Sequence, residues 1–259
     1  MTSRWRWLTV PAGGAVLYLA LRLGLDGKPE AVLWTNRLVP GAFLTLGSIG
    51  ATLAAVQFKR GDYLRPAWGL IGFGFLCIAV SRLLSGPHPP YELRLALTIG
   101  SNAAQIAGTW LLSRTWQVAG LELPRGRAGV YGTAIFFAVI VAGVPLVANI
   151  HEVVATGRFT AWHGIVSSLG DGITFVLLAP ITLTAITLRG GLTGWPWVFF
   201  AASILCWLIY DLRDVVLLFT SGENPQWVTI AVEPFRVAAS GFVFAAGMAQ
   251  RWLAKHETG

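Results

Sequence analysis

Eight polar side chains stand inside stretches otherwise apolar enough to cross a membrane: Asn102, Gln105, Asp171, Asp211, Arg213, Asp214, Glu233 and Arg236. An ionisable group at the centre of a bilayer costs roughly 2.5–3.5 kcal/mol on insertion scales, so such groups pair with one another or line a polar cavity. Their spacing puts Asp211 with Asp214, Glu233 with Arg236, and Asn102 with Gln105 on shared helix faces. Arg213, two residues from Asp211, points elsewhere, toward Asp171 or Glu233. Four carboxylates (Asp171, Asp211, Asp214, Glu233) face two arginines (Arg213, Arg236), an acidic surplus. That surplus requires raised carboxyl pKa values, a bound cation or a water-filled vestibule. Three chemistries fit these residues: an interhelical salt-bridge network, a ligand or ion site, and a proton relay.

The elements that must position these groups are helices. The chain has 259 residues, of which 55% are hydrophobic and 12% charged, and its mean hydropathy is +0.64. Soluble domains carry about 25% charged residues, so the solvent for this chain is a bilayer. Eight spans of about 20 residues are expected: Leu8–Leu25, Leu38–Phe58, Ala67–Leu84, Leu95–Trp116, Val130–Ile150, Ile165–Leu188, Trp197–Phe219 and Val228–Trp252. Pro11 and Gly13-Gly14 interrupt the first, which leaves seven spans as the alternative. The expected fold is an all-α polytopic bundle forming one transmembrane domain over residues 1–259, with no soluble domain.

With the N-terminus inside, the cytoplasmic face collects Arg4, Arg6, Lys59, Arg60, Arg65, Arg114, Arg125, Arg127, Arg189, Arg251 and Lys255. The opposite face holds fewer: Arg22, Lys28, Arg37, Arg82, Arg94 and Arg158. The bias puts both termini in the cytoplasm of a bacterial inner membrane. It then places Asp171 about two turns below the outer surface at 1.5 Å per residue. Asp211, Asp214, Glu233, Arg236, Asn102 and Gln105 fall in the same outer layer.

Several other patterns belong to the bilayer. Trp5, Trp7, Trp34, Trp68, Trp116, Trp162, Trp195, Trp197, Trp227 and Trp252 fall near span ends, where an indole sits at headgroup level. Gly100, Ala104 and Gly108 have the small-xxx-small spacing that lets helix backbones approach; Gly41, Gly47 and Gly50 resemble it. Pro145, Pro180 and Pro234 should kink their spans or free a carbonyl. Spans two and three, joined by Lys59-Arg60-Gly61-Asp62, resemble spans six and seven in plan, which suggests duplicated hairpins. The net charge of +7 is accounted for by cytoplasmic loops and needs no nucleic acid.

Common cofactor and catalytic chemistries find no foothold. Gly13-Gly14 and Gly190-Gly191 lack the Lys-Ser/Thr of a phosphate loop, and no Gly-x-Ser-x-Gly elbow occurs. Lys28, Lys59 and Lys255 lie outside the spans, so no retinal Schiff base can form. Cys77 and Cys206 are mid-span and read as free buried thiols. His88, His151 and His163 read as loop residues without metal-ligand spacing. The expected cofactor and metal content is therefore none, and the sequence leans away from an enzyme.

Gly194-Trp195-Pro196-Trp197, Trp207-Leu208-Ile209-Tyr210-Asp211, Glu233-Pro234-Phe235-Arg236 and Gln250-Arg251-Trp252 resemble the multi-span sensor region of bacterial histidine kinases and diguanylate cyclases. Lys59–Leu84 is similar to that region as well. Those proteins continue into an output domain, whereas here the sequence stops at Gly259. The resemblance implies a sensing module without its own output. The expected function is thus a non-enzymatic membrane module, either a sensing or ligand-binding subunit or an accessory subunit of a larger membrane complex. Its expected partners are the bilayer, other membrane subunits, and a small ligand or cation from outside. The alternative is a small transporter or ion or proton pathway using the in-membrane carboxylates.

Overall fold

A computed structural model describes residues 4–85, 90–118, 120, 126–157, 161–188, 193–219 and 226–256. All regular structure among them is helical: α1 (Arg4–Gly24), α2 (Pro29–Ala55), α3 (Leu64–Leu83), α4 (Tyr91–Ser113), a short α5 (Thr115–Val118), α6 (Arg127–Ala138), α7 (Val144–Thr156), α8 (Ala161–Thr187), α9 (Trp195–Phe219) and α10 (Gln226–His256). A π-helical turn, Val139–Gly143, joins α6 to α7. Pro145 is the second residue after it. Lacking an N–H, Pro145 leaves the carbonyl four residues back without its usual donor, and the ladder slips to wider bonds there.

Seven helical stretches are long and apolar enough to cross a membrane. The α6–π–α7 run counts as one of them. The eighth long helix, α4, falls short, and not α1, whose Pro11 and glycines made it the weak span in the sequence. Pro11, Gly14, Tyr18 and Arg22 share one buried face of α1. An added Cβ on Gly241 of α10 would stand 2.7 Å from Pro11 Cα, so the residues that seemed to interrupt α1 are its packing face. In α4, Asn102 and Gln105 lower the hydropathy, and the helix is sheltered between α3 and α8.

Six helices close a ring: α10 packs on α2, α2 on α3, α3 on α4, α4 on α8, α8 on α9, and α9 back on α10. The α1 helix lies against α10, and the α6–α7 stretch against α8. In this order the α2–α3 and α8–α9 hairpins sit opposite each other, separated by α10 and α4. Small residues make the tightest seam. A Cβ on Gly247 would come 2.2 Å from Gly50 O, and one on Gly50 would come 2.6 Å from Phe244 Cα. Gly108 meets Ala67 O in the same way, at 2.9 Å, while Gly100 meets nothing within 4 Å.

Aromatic side chains from α3 and α9 meet across the ring. Trp68 stands edge-on to Phe200 at 6.0 Å, and Phe75 edge-on to Trp207 at 6.4 Å. Trp68 and Trp197 are therefore core residues, 1% and 5% exposed, and not headgroup anchors. Both point inward, where burial among aromatics outweighs the interfacial preference of an indole. Trp34, Trp162 and Trp227 do remain exposed near helix ends. The connection between α2 and α3 turns on Gly61, whose φ of +98° is left-handed and open to glycine without strain. Asp62 then caps α3 by accepting from Leu64 N–H at 2.9 Å.

Candidate functional site

Above the aromatic layer the ring encloses a cavity of about 250 Å³ at one end of the bundle. The second half of α3, the stretch of α9 from Phe200 to Asp211, most of α4 and the first halves of α8 and α10 converge there. The α4 helix contributes a single polar face, with Arg94, Thr98, Ser101, Asn102, Gln105 and Thr109 recurring every three or four residues. The α8 helix answers with His163, Ser167, Asp171 and Thr174, α9 with Trp207, Tyr210 and Asp211, and α3 with Ser81 and Arg82. Arg236 enters from α10. The in-span polar side chains of these helices gather toward the ring interior, while Phe73, Ile99, Trp110, Leu169, Ile173 and Leu205 stand exposed on its outside. This is the form bundle helices take when an apolar solvent surrounds them and a polar cavity lies between them.

A three-residue ionic cluster closes one wall. Glu233, 1% exposed, receives Arg82 Nη2 on Oε1 at 3.3 Å and pairs through Oε2 with Arg236 one turn along α10. Arg82 also donates twice to Asn36 O, at 3.1 and 2.6 Å, and the Asn36 side chain accepts from Tyr18 Oη at 2.8 Å. Arg236 donates to Tyr210 Oη at 3.1 Å, and its guanidinium lies 4.8 Å from the Tyr210 ring centroid. Four helices are thereby tied together by one buried carboxylate and two guanidiniums. A buried carboxylate needs opposite charges this close to offset the cost of its desolvation.

On the opposite wall, Asn102 Nδ2 donates to Thr98 O at 3.0 Å, and its Oδ1 would lie 2.0 Å from a Cβ added to Gly170. Only glycine at position 170 lets α8 approach α4 there, and this sets Asp171 beside the Asn102 layer. Ser167 Oγ donates to Asp171 Oδ2 at 3.4 Å, and Gln105 Nε2 to Ser101 Oγ at 2.9 Å. Thr98 Oγ1 donates to Arg94 O at 3.0 Å and lies 2.9 Å from His163 Nε2. With its own proton committed to the backbone, Thr98 accepts from His163. That is the reverse of the arrangement in which an imidazole activates a hydroxyl nucleophile.

Of the residues singled out in the sequence, Asn102, Gln105, Asp171, Asp211 and Arg236 line this one cavity, and Glu233 anchors Arg236 behind its wall. Arg213 is not among the lining residues; its Nε is buried and has no hydrogen-bond acceptor among the described residues. The Asp214 side chain and His88 lie outside the described residues. Two expectations change. His163 is an α8 cavity residue and not a loop residue, whereas His151 is exposed on α7. Among the described residues the acidic surplus also disappears. Arg82 and Arg94, assigned to an extramembrane loop from their position near span ends, turn into the cavity. Arg82, Arg94 and Arg236 then face Asp171 and Asp211, with Glu233 one layer behind.

Trp207 and Tyr210 enter the sequence reading only as part of the sensor-like motif that ends at Asp211. Their spacing of three puts them one turn apart on α9, both ahead of Asp211. Trp207 Nε1 is buried without an acceptor among the described residues, and such donors in native structures commonly serve a ligand or a water. Cys77 is buried and Cys206 half-buried; both are free thiols. Compared with known protein families, curated proteins and solved structures, the chain has no match, so its function is argued from this cavity.

Proposed function

We propose that the chain is a non-enzymatic membrane module that binds a small polar ligand in this cavity, acting as a sensing or binding subunit of a larger membrane complex. The observation that carries this reading is the cavity of about 250 Å³, lined from five helices by charged and hydrogen-bonding side chains over an aromatic floor. Small-molecule sites have this form, largely preformed with a few convergent polar groups. The basic-residue bias turns the open end of the cavity to the outer side of the membrane. The likeness of the α9 and α10 motifs to sensor regions supports the same role.

The test is a thermal-shift screen of small polar metabolites on the protein in nanodiscs, beside a variant with the cavity filled, Ser203→Leu. Ser203 lines the cavity and is 1% exposed. A ligand at 100 times its Kd should stabilise the native protein by about 2.7 kcal/mol and leave the filled variant unmoved. A ligand that stabilises both equally binds elsewhere, and the reading fails.

A second reading, transport, is favoured by one observation. The polar face of α4 continues past Thr109 to Ser113, which also lines a surface groove at the other end of the bundle with Trp110, Arg114, Gln117 and Tyr131. The Trp68–Phe200 and Phe75–Trp207 layers close the ring interior between the two ends, which favours binding over passage. Uptake into proteoliposomes of a ligand found in the screen decides between the two.

A further inference from the structure

We propose that the surface groove where α4, α6 and α8 meet holds an anionic phospholipid. The proposal is independent of the ligand cavity, which lies at the other end of the bundle. The groove has a volume of about 490 Å³ and opens between the exposed side chains of Trp110 and Val176. Arg114 and Gln117 make its polar rim, and no carboxylate lines it among the described residues. The ring cavity sets carboxylates against its arginines; this groove does not.

Charge and apolar surface follow the order found in a phospholipid. Arg114 stands one turn beyond Trp110, at the end of α4, with its guanidinium 5.1 Å from the indole centroid. Arg127 stands one turn before Tyr131, at the start of α6, and is exposed. Residues four apart share a helix face, so both helices present the same pair at the groove. An arginine is outermost, and an aromatic ring with a polar atom lies one turn deeper. Neither arginine has an ion-pair partner among the described residues. Two guanidiniums so placed match a phosphodiester, and Trp and Tyr rings take the headgroup level.

Deeper still, the neighbouring surface is an apolar track on each side. On α6, Ile135 and Val139 follow Tyr131 and are exposed. The α8 helix runs antiparallel to that span as the second arm of a hairpin. Leading away from Pro180 in the same direction, Val176, Ile173 and Leu169 share one face and are exposed. Pro180 and Leu169 are about 16 Å apart at 1.5 Å per residue. That is the depth of one leaflet in a hydrocarbon core of about 30 Å. An acyl chain laid along these tracks reaches the midplane while its phosphate stays at the arginines. A free anion would leave the tracks uncovered, and a zwitterionic lipid would set its ammonium beside two guanidiniums. An anionic phospholipid fits both parts.

The experiment uses the full chain in micelles containing phosphatidylglycerol and phosphatidylcholine of matched acyl chains, with retained lipid counted by native mass spectrometry. One arginine at a membrane surface is worth about fivefold in preference for anionic lipid. The native chain should therefore favour phosphatidylglycerol by at least about tenfold. Arg114→Gln and Arg127→Gln should each lose about fivefold, and Arg114→Lys, which keeps the charge, should lose less. Arg60→Gln is the control. Arg60 is exposed in the α2–α3 connection, which lies at the same end of the bundle, since Tyr63 Oη donates to Thr115 Oγ1 at 3.2 Å. Its loss should leave the preference little changed. All three arginines are exposed, so every variant should keep the native elution profile. An equal loss for Arg60→Gln would show attraction to the whole surface and overturn the proposal, as would equal retention of the two lipids. Displacement of phosphatidylglycerol by excess inorganic phosphate would show a site for soluble anions and overturn it as well.

Discussion

Glu233→Gln isolates the ionic cluster that holds the wall of the cavity. The change keeps the shape of the side chain and removes one charge from a residue 1% exposed. Two guanidiniums lose their counter-charge at once: Arg236, whose side chain is 6% exposed, and Arg82, at 24%. Breaking a buried pair by removing one partner typically costs about 3–5 kcal/mol. The lower end applies here. Arg236 keeps its bond to Tyr210 Oη and the face of that ring, and Arg82 keeps Asn36 O. A loss of about 3 kcal/mol is expected, roughly two decades in the unfolding equilibrium at 1.4 kcal/mol per decade. Reversible unfolding in mixed micelles by titrated dodecyl sulfate would read it, with the exposed Glu92→Gln on α4 as a control near zero. A loss for Glu233→Gln no larger than for Glu92→Gln would refute the reasoning, because the cluster would then add no net stability.

Other outcomes follow from the same geometry. Tyr210→Phe removes the acceptor for Arg236 but keeps the ring beneath it, so unfolding should be easier by about 1 kcal/mol, the worth of one hydrogen bond, in the same titration. Gly247→Ala must drive a methyl against Gly50 O at 2.2 Å; overpacking of this kind costs typically about 1–3 kcal/mol. Gly69→Ala, with nothing within 4 Å, should instead be neutral or stabilising by up to about 1 kcal/mol, and equal behaviour of the two glycines would contradict the tight α2–α10 seam. Compartment reporters fused after Lys255 and in the connection between α3 and α4 should report opposite sides, with Lys255 cytoplasmic; matching signals would overturn the span assignment.

The legible part of the site was the set of residues whose type clashes with its surroundings. Asp171, Asp211, Glu233 and Arg236 interrupt long apolar runs, and Asn102 and Gln105 break the hydropathy of α4, so no tertiary information was needed to see them. Arg82 and Arg94 gave no such signal. An arginine within a turn of a span end is read as a loop or headgroup residue, because its long stem can carry the charge out of the bilayer. Only its neighbours decide whether it turns inward instead. Here Asn36 O, Glu233 and the polar face of α4 make the inward direction favourable. The same ambiguity misplaced Trp68 and Trp197, whose sequence positions suit an interface and whose side chains fill the core.

Composition alone determined that this chain lives in a bilayer as helices. Where solvent is apolar every backbone group must be satisfied within its own segment, and a continuous apolar run of about 20 residues leaves no other solution. Which helices meet is a different kind of fact. It depends on where two backbones can approach, as at Gly50 and Gly247 or at Gly170 and Asn102, and such contacts join residues far apart in the chain through shape and not through pattern. Ring closure by α10, the balance of charge inside it and the cavity it encloses were therefore decided only by the tertiary structure.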